Sequence, residues 1–170
     1  MIEQLIDTKC IQIGNFQLKN GSFSKYYFDM KNLISYPLLL KQIGDMMYNM
    51  LGDFDIICAI PYGGMPIASY ISTTYNKPMI FLRDKQKNYG LQKRIEGQYE
   101  KTNRCVIIDD VMTSGMSLED AMETIKDRVS VTECAVIFDR QQVKTVTFPI
   151  KAVFNTTDGV TSSLKNMKET

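Results

Sequence analysis

Two adjacent carboxylates at the end of an apolar run are the strongest chemical signal in this sequence. In CVIIDDVMTSGMSLEDA (105–121), Asp109 and Asp110 close a run that is typical of a buried strand. Because adjacent side chains of a strand point to opposite faces, one acid can face a ligand while the other anchors the loop or lies near a metal. The segment 113–117 that follows is small and hydroxylated, and it precedes a helical pattern. Its backbone N–H groups and hydroxyls therefore suit an anion.

These features together indicate a sugar phosphate, with the phosphate in the loop and the sugar hydroxyls on the carboxylates. The alternative is a strand that precedes a capped helix and carries surface acids without a ligand. The loop is not a P-loop, because G-x-x-x-x-G-K-[ST] occurs nowhere in the chain. Gly63 and Gly64 lack the spacing of a dinucleotide fingerprint.

Other chemistries are excluded by what the sequence lacks. There is no histidine, which removes histidine triads and histidine metal sites. The four cysteines form no C-x-x-C pair, and three of them lie in apolar runs, which predicts buried, reduced thiols and a cytoplasmic protein. The net charge of +1 argues against a nucleic-acid partner. No apolar run reaches the roughly 20 residues of a membrane-spanning helix, so no membrane partner is expected.

Apolar runs and helical periodicity alternate along the chain, which predicts an α/β fold. A length of 170 residues suits one domain. Apolar strands that alternate with amphipathic helices predict a parallel central sheet with helices on both faces, and ligands of such sheets bind at the carboxyl ends of the strands. The predicted strands are 54–60, 78–83, 105–110 and 132–139, and the predicted helices are 37–51, 66–75 and 117–129.

Finer features are predicted from turn and cap signals. Ser35 and Pro37 suit the start of the first of these helices, and Ser117 with Asp120 resembles a capping box. Residues 84–103 show no periodicity and predict one long loop. The segment 146–155 is compatible with a hairpin.

The motif CVIIDDVMTSG resembles the phosphoribosyl-pyrophosphate motif of type I phosphoribosyltransferases, and four further stretches resemble orotate phosphoribosyltransferase. The D-D-x-x-T-S-G part indicates only the superfamily, whereas LKNG and R-x-x-x-K-x-Y-G are the parts specific to orotate. The four stretches are FQLKNGSFSKYYFD (16–29), AIPYGGMPIA (59–68), RDKQKNYGLQKRIEG (83–97) and FDRQQ (138–142).

The resemblance implies a site for phosphoribosyl pyrophosphate, a site for orotate and a bound Mg²⁺. Lys87, Asp109 and Asp110 are the implied catalytic residues. The two aspartates are also the implied metal contacts, mostly through water or ribose hydroxyls. For orotate, the implied contacts are Tyr27, Phe28, Thr113 and Arg140. For phosphoribosyl pyrophosphate, they are Lys19, Tyr62, Gly63, Arg83, Asp84, Lys87, Tyr89, Asp109, Asp110, Val111, Met112, Thr113, Ser114, Gly115, Met116 and Ser117.

The resemblance also implies the architecture and the assembly. It implies one domain over 1–170, with a core of about 31–142 and a small hood from 1–30 and 143–170. It further implies a homodimer whose lid, 83–104, reaches the partner's site. That segment carries seven basic residues against three acids, which suits a pyrophosphate. A solvated charged loop is the alternative.

Three functions remain open on the sequence alone. The first is orotate phosphoribosyl transfer in UMP synthesis, the second is transfer to another base, and the third is a non-catalytic nucleotide sensor on the same fold. Asp84 stands where the family usually has lysine, Asn20 stands for serine, and Gly63 lies at a position that is lysine in some members. Asp84 and the short segment after FDRQQ favour the third function, whereas Lys19, Arg83, Lys87 and Arg140 favour the first.

Overall fold

A six-stranded sheet forms the centre of the protein in the computed structural model, which describes residues 1–17, 21, 23–83, 94–140 and 148–155. The strand order is β5-β4-β3-β6-β7-β8, and only the β4–β5 pair is antiparallel. The elements are α1 (Ile2–Asp7), β1 (Ile11–Gln17), β2 (Phe23–Phe28), a 3₁₀ helix (Met30–Ser35), α2 (Pro37–Met50), β3 (Ile56–Ala59), α3 (Gly64–Thr74), β4 (Met79–Leu82), β5 (Ile95–Glu96), β6 (Arg104–Met112), α4 (Met116–Ile125), β7 (Ser130–Asp139) and β8 (Ile150–Asn155).

Alternate residues of the central strands pack into two separate apolar layers. Ile57 and Ile108 belong to the layer that includes α2 and α3, whereas Cys58 and Ile107 belong to the layer that includes α4. Both faces of the strands are therefore apolar, because each face is covered by helices. The predicted parallel sheet with helices on both faces is confirmed.

All four cysteines are buried free thiols, as predicted. Burial raises the pKa of the Cys58 thiol to about 12, so the thiol stays protonated and acts as a small apolar side chain. Within the described residues, no helix is both long enough and apolar enough to cross a membrane.

The N-terminal segment forms a separate two-stranded antiparallel sheet, β1–β2, that packs on the carboxyl end of the main sheet. Its last residue, Phe28, contacts Phe138 of β7 with 4.2 Å between the ring centroids. This contact fixes β2 beside the strand that precedes Arg140. The division into a core and a hood remains a prediction.

Two of the loop predictions were wrong. The segment 146–155 does not form a hairpin, because β8 pairs in parallel with β7 and Ile150 lies opposite Cys134. Residues 84–103 are not one loop, because β5 lies within them and pairs with β4. Two residues are too short to show an alternating pattern, so only the pairing identifies β5.

The basic segment 83–104 is therefore not one lid. Arg104 begins β6 at the opposite end of the sheet from the carboxyl edge, where its guanidinium pairs with Asp53 at 2.6 Å and with Asp55 at 2.8 Å. Lys101 lies in the exposed turn before that strand. Neither cation is near the strand ends that the motifs occupy.

Both predicted serine caps were also wrong. Ser35 is the last residue of the 3₁₀ helix, and α2 begins at Pro37 without a side-chain cap hydrogen bond. Ser117 lies inside the first turn of α4, whose N-cap is Gly115 with φ of 91°. Glycine adopts this left-handed conformation readily, so the helix begins two residues earlier than it would after a Ser117 cap.

A polar network joins α2 to α3. The Asp45 carboxylate accepts hydrogen bonds from the Tyr70 hydroxyl at 2.6 Å and the Tyr75 hydroxyl at 2.7 Å, and it pairs with Lys41 at 2.8 Å. The lysine and then the two hydroxyls lower the pKa of Asp45 to about 2. The carboxylate is therefore charged in the folded protein at neutral pH.

Candidate active site

The carboxyl ends of β3 and β4 and the first turn of α4 surround a cavity of about 300 Å³. Parallel strands end at the same edge of a sheet, so the segments that follow them meet there. Two arginines and one carboxylate are its charged lining residues. The lining consists of Ile60, Pro61, Leu82, Arg83, Arg94, Met116, Ser117 and Asp120.

Two glycines allow the turn after β3 to lie directly against the end of β6. A Cβ built on Gly63 would overlap the Asp110 carboxylate, and a Cβ on Gly64 would overlap the Ile108 carbonyl. Close approach therefore requires glycine at both positions. The neighbouring Tyr62 is 71% exposed, so its side chain points away from the core.

The paired carboxylates differ in their exposure to solvent. Asp109 is buried and only 7% exposed, and its Oδ1 accepts the backbone N–H of Asp110 at 2.8 Å. Asp110 is half-buried, and its Oδ1 accepts the backbone N–H of Val111 at 2.9 Å. Burial first, and then the nearby Asp110 charge, raise the pKa of Asp109 well above its usual range. Asp110 is therefore the acid that a ligand reaches more easily.

The loop between β6 and α4 is built as an anion site would be. Met112 ends β6 and is buried, whereas Thr113, Met116 and Ser117 are exposed. The first N–H groups of a helix have no partner inside the helix, and its dipole favours negative charge there. Met116 and Ser117 of this first turn form part of the cavity wall.

Two guanidinium groups lie on the β4–β5 side of this cavity. Arg83 pairs with Glu96 at 2.7 Å, and Arg94 pairs with Asp120 of α4 at 2.9 Å. The backbone N–H of Arg83 donates to the Arg94 carbonyl at 2.9 Å. The chain therefore leaves the cavity after Arg83 and returns to the same point at Arg94. Of the predicted site residues, Lys19, Asp84, Lys87 and Tyr89 lie outside the described part of the chain.

A third arginine lies at the other side of β6. The Arg140 backbone N–H donates to the Met112 carbonyl at 3.0 Å, and its guanidinium donates to the Ser24 hydroxyl at 3.0 Å. The guanidinium also lies 5.4 Å from the centroid of the Phe28 ring. Partial burial lowers the pKa of Arg140, but an arginine remains charged at any physiological pH.

The structure separates Tyr27 from Phe28. Adjacent residues of β2 point to opposite faces, and only Phe28 shares a face with Ser24 and Arg140. Tyr27 is 43% exposed and packs on Phe16, with 5.5 Å between ring centroids. The two side chains therefore lie on opposite faces of β2 and do not both face one planar ligand.

Sequence reasoning missed Ser24, Arg94 and Asp120 as members of the site. Arg94 counted only toward the excess of basic residues, and Asp120 was assigned to a helix cap. For Arg94, the sequence offered one signal, which was the charge pattern. Arg83 and Arg94 lie at the two ends of one segment, and two such residues meet when the segment connects adjacent strands. Ser24 lies within the 16–29 stretch that resembles the family, but its contact with Arg140 follows only from the docking of β2.

The fold and this edge of the sheet define a phosphoribosyltransferase, and residues 29–164 match the family described as phosphoribosyl transferase domain. An orotate phosphoribosyltransferase from Methanothermobacter thermautotrophicus is 35% identical over 84% of this chain and 79% of its own length. The chain therefore belongs to the orotate phosphoribosyltransferase family, as the motifs predicted.

Two larger proteins are also similar. The uridine 5′-monophosphate synthase of Bos taurus is 35% identical over 84% of this chain. The structure of Leishmania donovani UMP synthase superposes with a TM-score of 0.86 at 30% identity over 98% of this chain. The chain spans 31% of the cattle protein and 38% of the Leishmania chain, so it matches one part of each.

Proposed function

We propose that the chain transfers the phosphoribosyl group of phosphoribosyl pyrophosphate to orotate, which gives orotidine 5′-monophosphate and pyrophosphate in UMP biosynthesis. One observation carries the proposal. Asp110 and the anion loop at Gly115 lie between two separate arginine regions, with Arg83 on one side and Arg140 on the other. A reaction that joins an anionic base to a sugar carrying an anionic leaving group needs cations on both sides of the sugar.

The bond changes match this division of the site. The C1–O bond to pyrophosphate breaks and its electron pair leaves with the pyrophosphate, while the orotate N1 forms the new bond to C1 and releases its proton to water or to the departing pyrophosphate. The ribose gains positive charge as the leaving group gains negative charge. Fixed cations and helix N–H groups beside the leaving group stabilise such a transition state, and they cost little reorganisation because they are held in place. Arg83 and the start of α4 are those groups.

The base subsite is formed by Arg140, Phe28 and Thr113. The orotate carboxylate pairs with the Arg140 guanidinium, whose planar fork matches a carboxylate. Ser24 holds the guanidinium in place from the N-terminal hairpin. The Tyr27 side chain lies on the opposite face of β2, where it packs on Phe16.

Mg²⁺ is part of this proposal, and the residues fit it in one specific way. Among the described residues, no three metal-ligating side chains lie together. Asp109 and Asp110 offer hard oxygen atoms, and this small donor set suits an ion that keeps its waters and takes most of its other ligands from phosphates. Asp110, the more exposed acid, would hold the ion through water or ribose hydroxyls. When bound, Mg²⁺ neutralises charge on the pyrophosphate.

The proposed lid is the ten-residue segment 84–93 rather than the whole of 83–104. It carries Lys87 and Tyr89 over the pyrophosphate. Because Arg83 and Arg94 meet at its two ends, ten residues at about 3.3 Å each allow a reach of at most about 16 Å. Such a reach is compatible with a homodimer in which the lid serves the partner's site, and we propose this assembly as the active unit. The buried free cysteines suit a cytoplasmic location.

Base selection tests the proposal. Purified protein is assayed with phosphoribosyl pyrophosphate, Mg²⁺ and one base at a time, namely orotate, uracil or adenine. The proposal predicts consumption of orotate and no comparable consumption of uracil, which lacks the carboxylate. Turnover of another base in preference to orotate would favour the second function. Tight binding of both substrates without turnover would favour the sensor.

A further inference from the structure

We propose that Arg94 is a binding residue for the leaving pyrophosphate and that Asp120 occupies its guanidinium until the substrate arrives. The inference rests on the proposed function and adds to it a residue that neither motif nor resemblance assigned. Arg94 lines the same cavity as Arg83 and Ser117. Its carboxylate partner, Asp120, lies on α4, across the mouth of the cavity.

The backbone places the two arginines as a pair. The hydrogen bond from the Arg83 N–H to the Arg94 carbonyl joins the residue after β4 to the residue before β5, so the two arginines occupy neighbouring positions. Among the residues that the structure describes, each guanidinium has one carboxylate partner, Glu96 or Asp120. Without substrate, the four charges of this cluster cancel. A pyrophosphate brings several negative charges, and neither guanidinium of this cluster is unpaired. At least one arginine must therefore exchange its carboxylate partner for the ligand.

Arg94 is the arginine that exchanges more easily. The Asp120 side chain is 64% exposed and that of Glu96 38%, so Asp120 returns to water at the smaller cost. Exposed ion pairs contribute little free energy. A guanidinium binds a phosphate through two parallel hydrogen bonds, which are stronger than those of a single exposed contact. Asp120 therefore neutralises Arg94 in the empty site and releases it to the ligand.

The sequence explains why a second cation is needed here. Asp84 directly follows Arg83 and adds a negative charge at the start of segment 84–93. Arg94 is the cation that the described part of the chain places in the same cavity at the other end of that segment. In the count of charges along the sequence, Arg94 offsets Asp84.

Opposite effects of two substitutions test this assignment, with inorganic pyrophosphate in the presence of Mg²⁺ as the calorimetric probe. Arg94→Gln should weaken pyrophosphate binding about tenfold, because a hydrogen-bonded charge is lost. Asp120→Asn should strengthen it about two- to threefold, because the competing carboxylate is lost. In the Arg94→Gln background, Asp120→Asn should have no such effect. A purely structural ion pair would instead make both single substitutions weaken binding.

Three further measurements keep the outcome unambiguous. Arg94→Lys should retain most of the affinity, and Arg128→Gln, which removes an exposed arginine after α4, should change nothing. In the orotate assay, Arg94→Gln should raise KM for phosphoribosyl pyrophosphate and leave KM for orotate within twofold. Unchanged pyrophosphate affinity in a folded Arg94→Gln protein overturns the inference. If the wild-type protein binds pyrophosphate but consumes no orotate, the proposed function fails and the Arg94 assignment is still decided by the calorimetry.

Discussion

Substitution of Gly63 by alanine should disable the site through Asp110. The Cβ of the new residue would overlap Cγ and both oxygens of the Asp110 carboxylate, so that carboxylate must move by roughly an ångström to restore van der Waals contact. Such overpacking typically costs about 1–3 kcal/mol of stability. A displacement of this size in a positioned catalytic group can lower the rate about 10²-fold. We therefore expect kcat/KM to fall by about two orders of magnitude while the protein remains folded.

The assay is orotate consumption, combined with thermal unfolding of each variant. Asp110→Ala serves as the matched background, because it removes the atoms that the new Cβ would overlap. Gly63→Ala should then cost little more activity than Asp110→Ala alone, so the two effects should be strongly non-additive. Gly64→Ala is a different control, since its Cβ would meet the backbone of β6 and should lower stability first. A kcat/KM for Gly63→Ala within threefold of wild type would refute the reasoning.

Three further predictions concern the lid, the base subsite and acid stability. Lys87→Ala should lower kcat about 10²-fold, and mixing it with Asp110→Asn should restore roughly a quarter of wild-type sites if the lid acts in trans. Subunit exchange without recovered activity would contradict the shared site. Arg140→Ala should weaken orotate binding about 10- to 100-fold and phosphoribosyl pyrophosphate binding far less, and equal losses by calorimetry would contradict that role. The pKa of Asp45 lies at about 2 in the folded protein against 3.8 ordinarily, so its contribution to stability is complete above pH 4 and is lost toward pH 2. Urea unfolding between pH 4 and 2 should show a smaller loss of stability in Asp45→Asn, and an unchanged slope would contradict the prediction.

The buried strands and the central motif were predictable because their signals are local. Ile107 and Ile108 lie between covered faces, so the strand is apolar throughout, and the two acids mark its carboxyl end. The anion loop was predicted in the same way, because small hydroxylated residues directly before a helical pattern are typical of an anion site. The structural role of such residues can be predicted from the residues next to them in the sequence.

Features that depend on the arrangement of distant segments were not predictable. Strand β5 is defined only by its pairing with β4, and the direction of β8 only by its position beside β7. Asp120 fits a helix cap by spacing, yet its partner is Arg94, 26 positions earlier in the chain. Tyr27 and Phe28 are equivalent as aromatic residues, and only the docking of β2 decides which of them meets Arg140.

Phosphorus NMR of the complete reaction is the most direct test of phosphoribosyl transfer to orotate, because it follows both products in one sample. Protein, Mg²⁺, phosphoribosyl pyrophosphate and orotate are mixed, and the diphosphate and phosphomonoester signals are integrated over time. We expect one free pyrophosphate to appear for each new phosphomonoester of orotidine 5′-monophosphate, and only when orotate is present. Release of pyrophosphate at the same rate without orotate, or no change in the phosphoribosyl pyrophosphate signals with orotate, would contradict it.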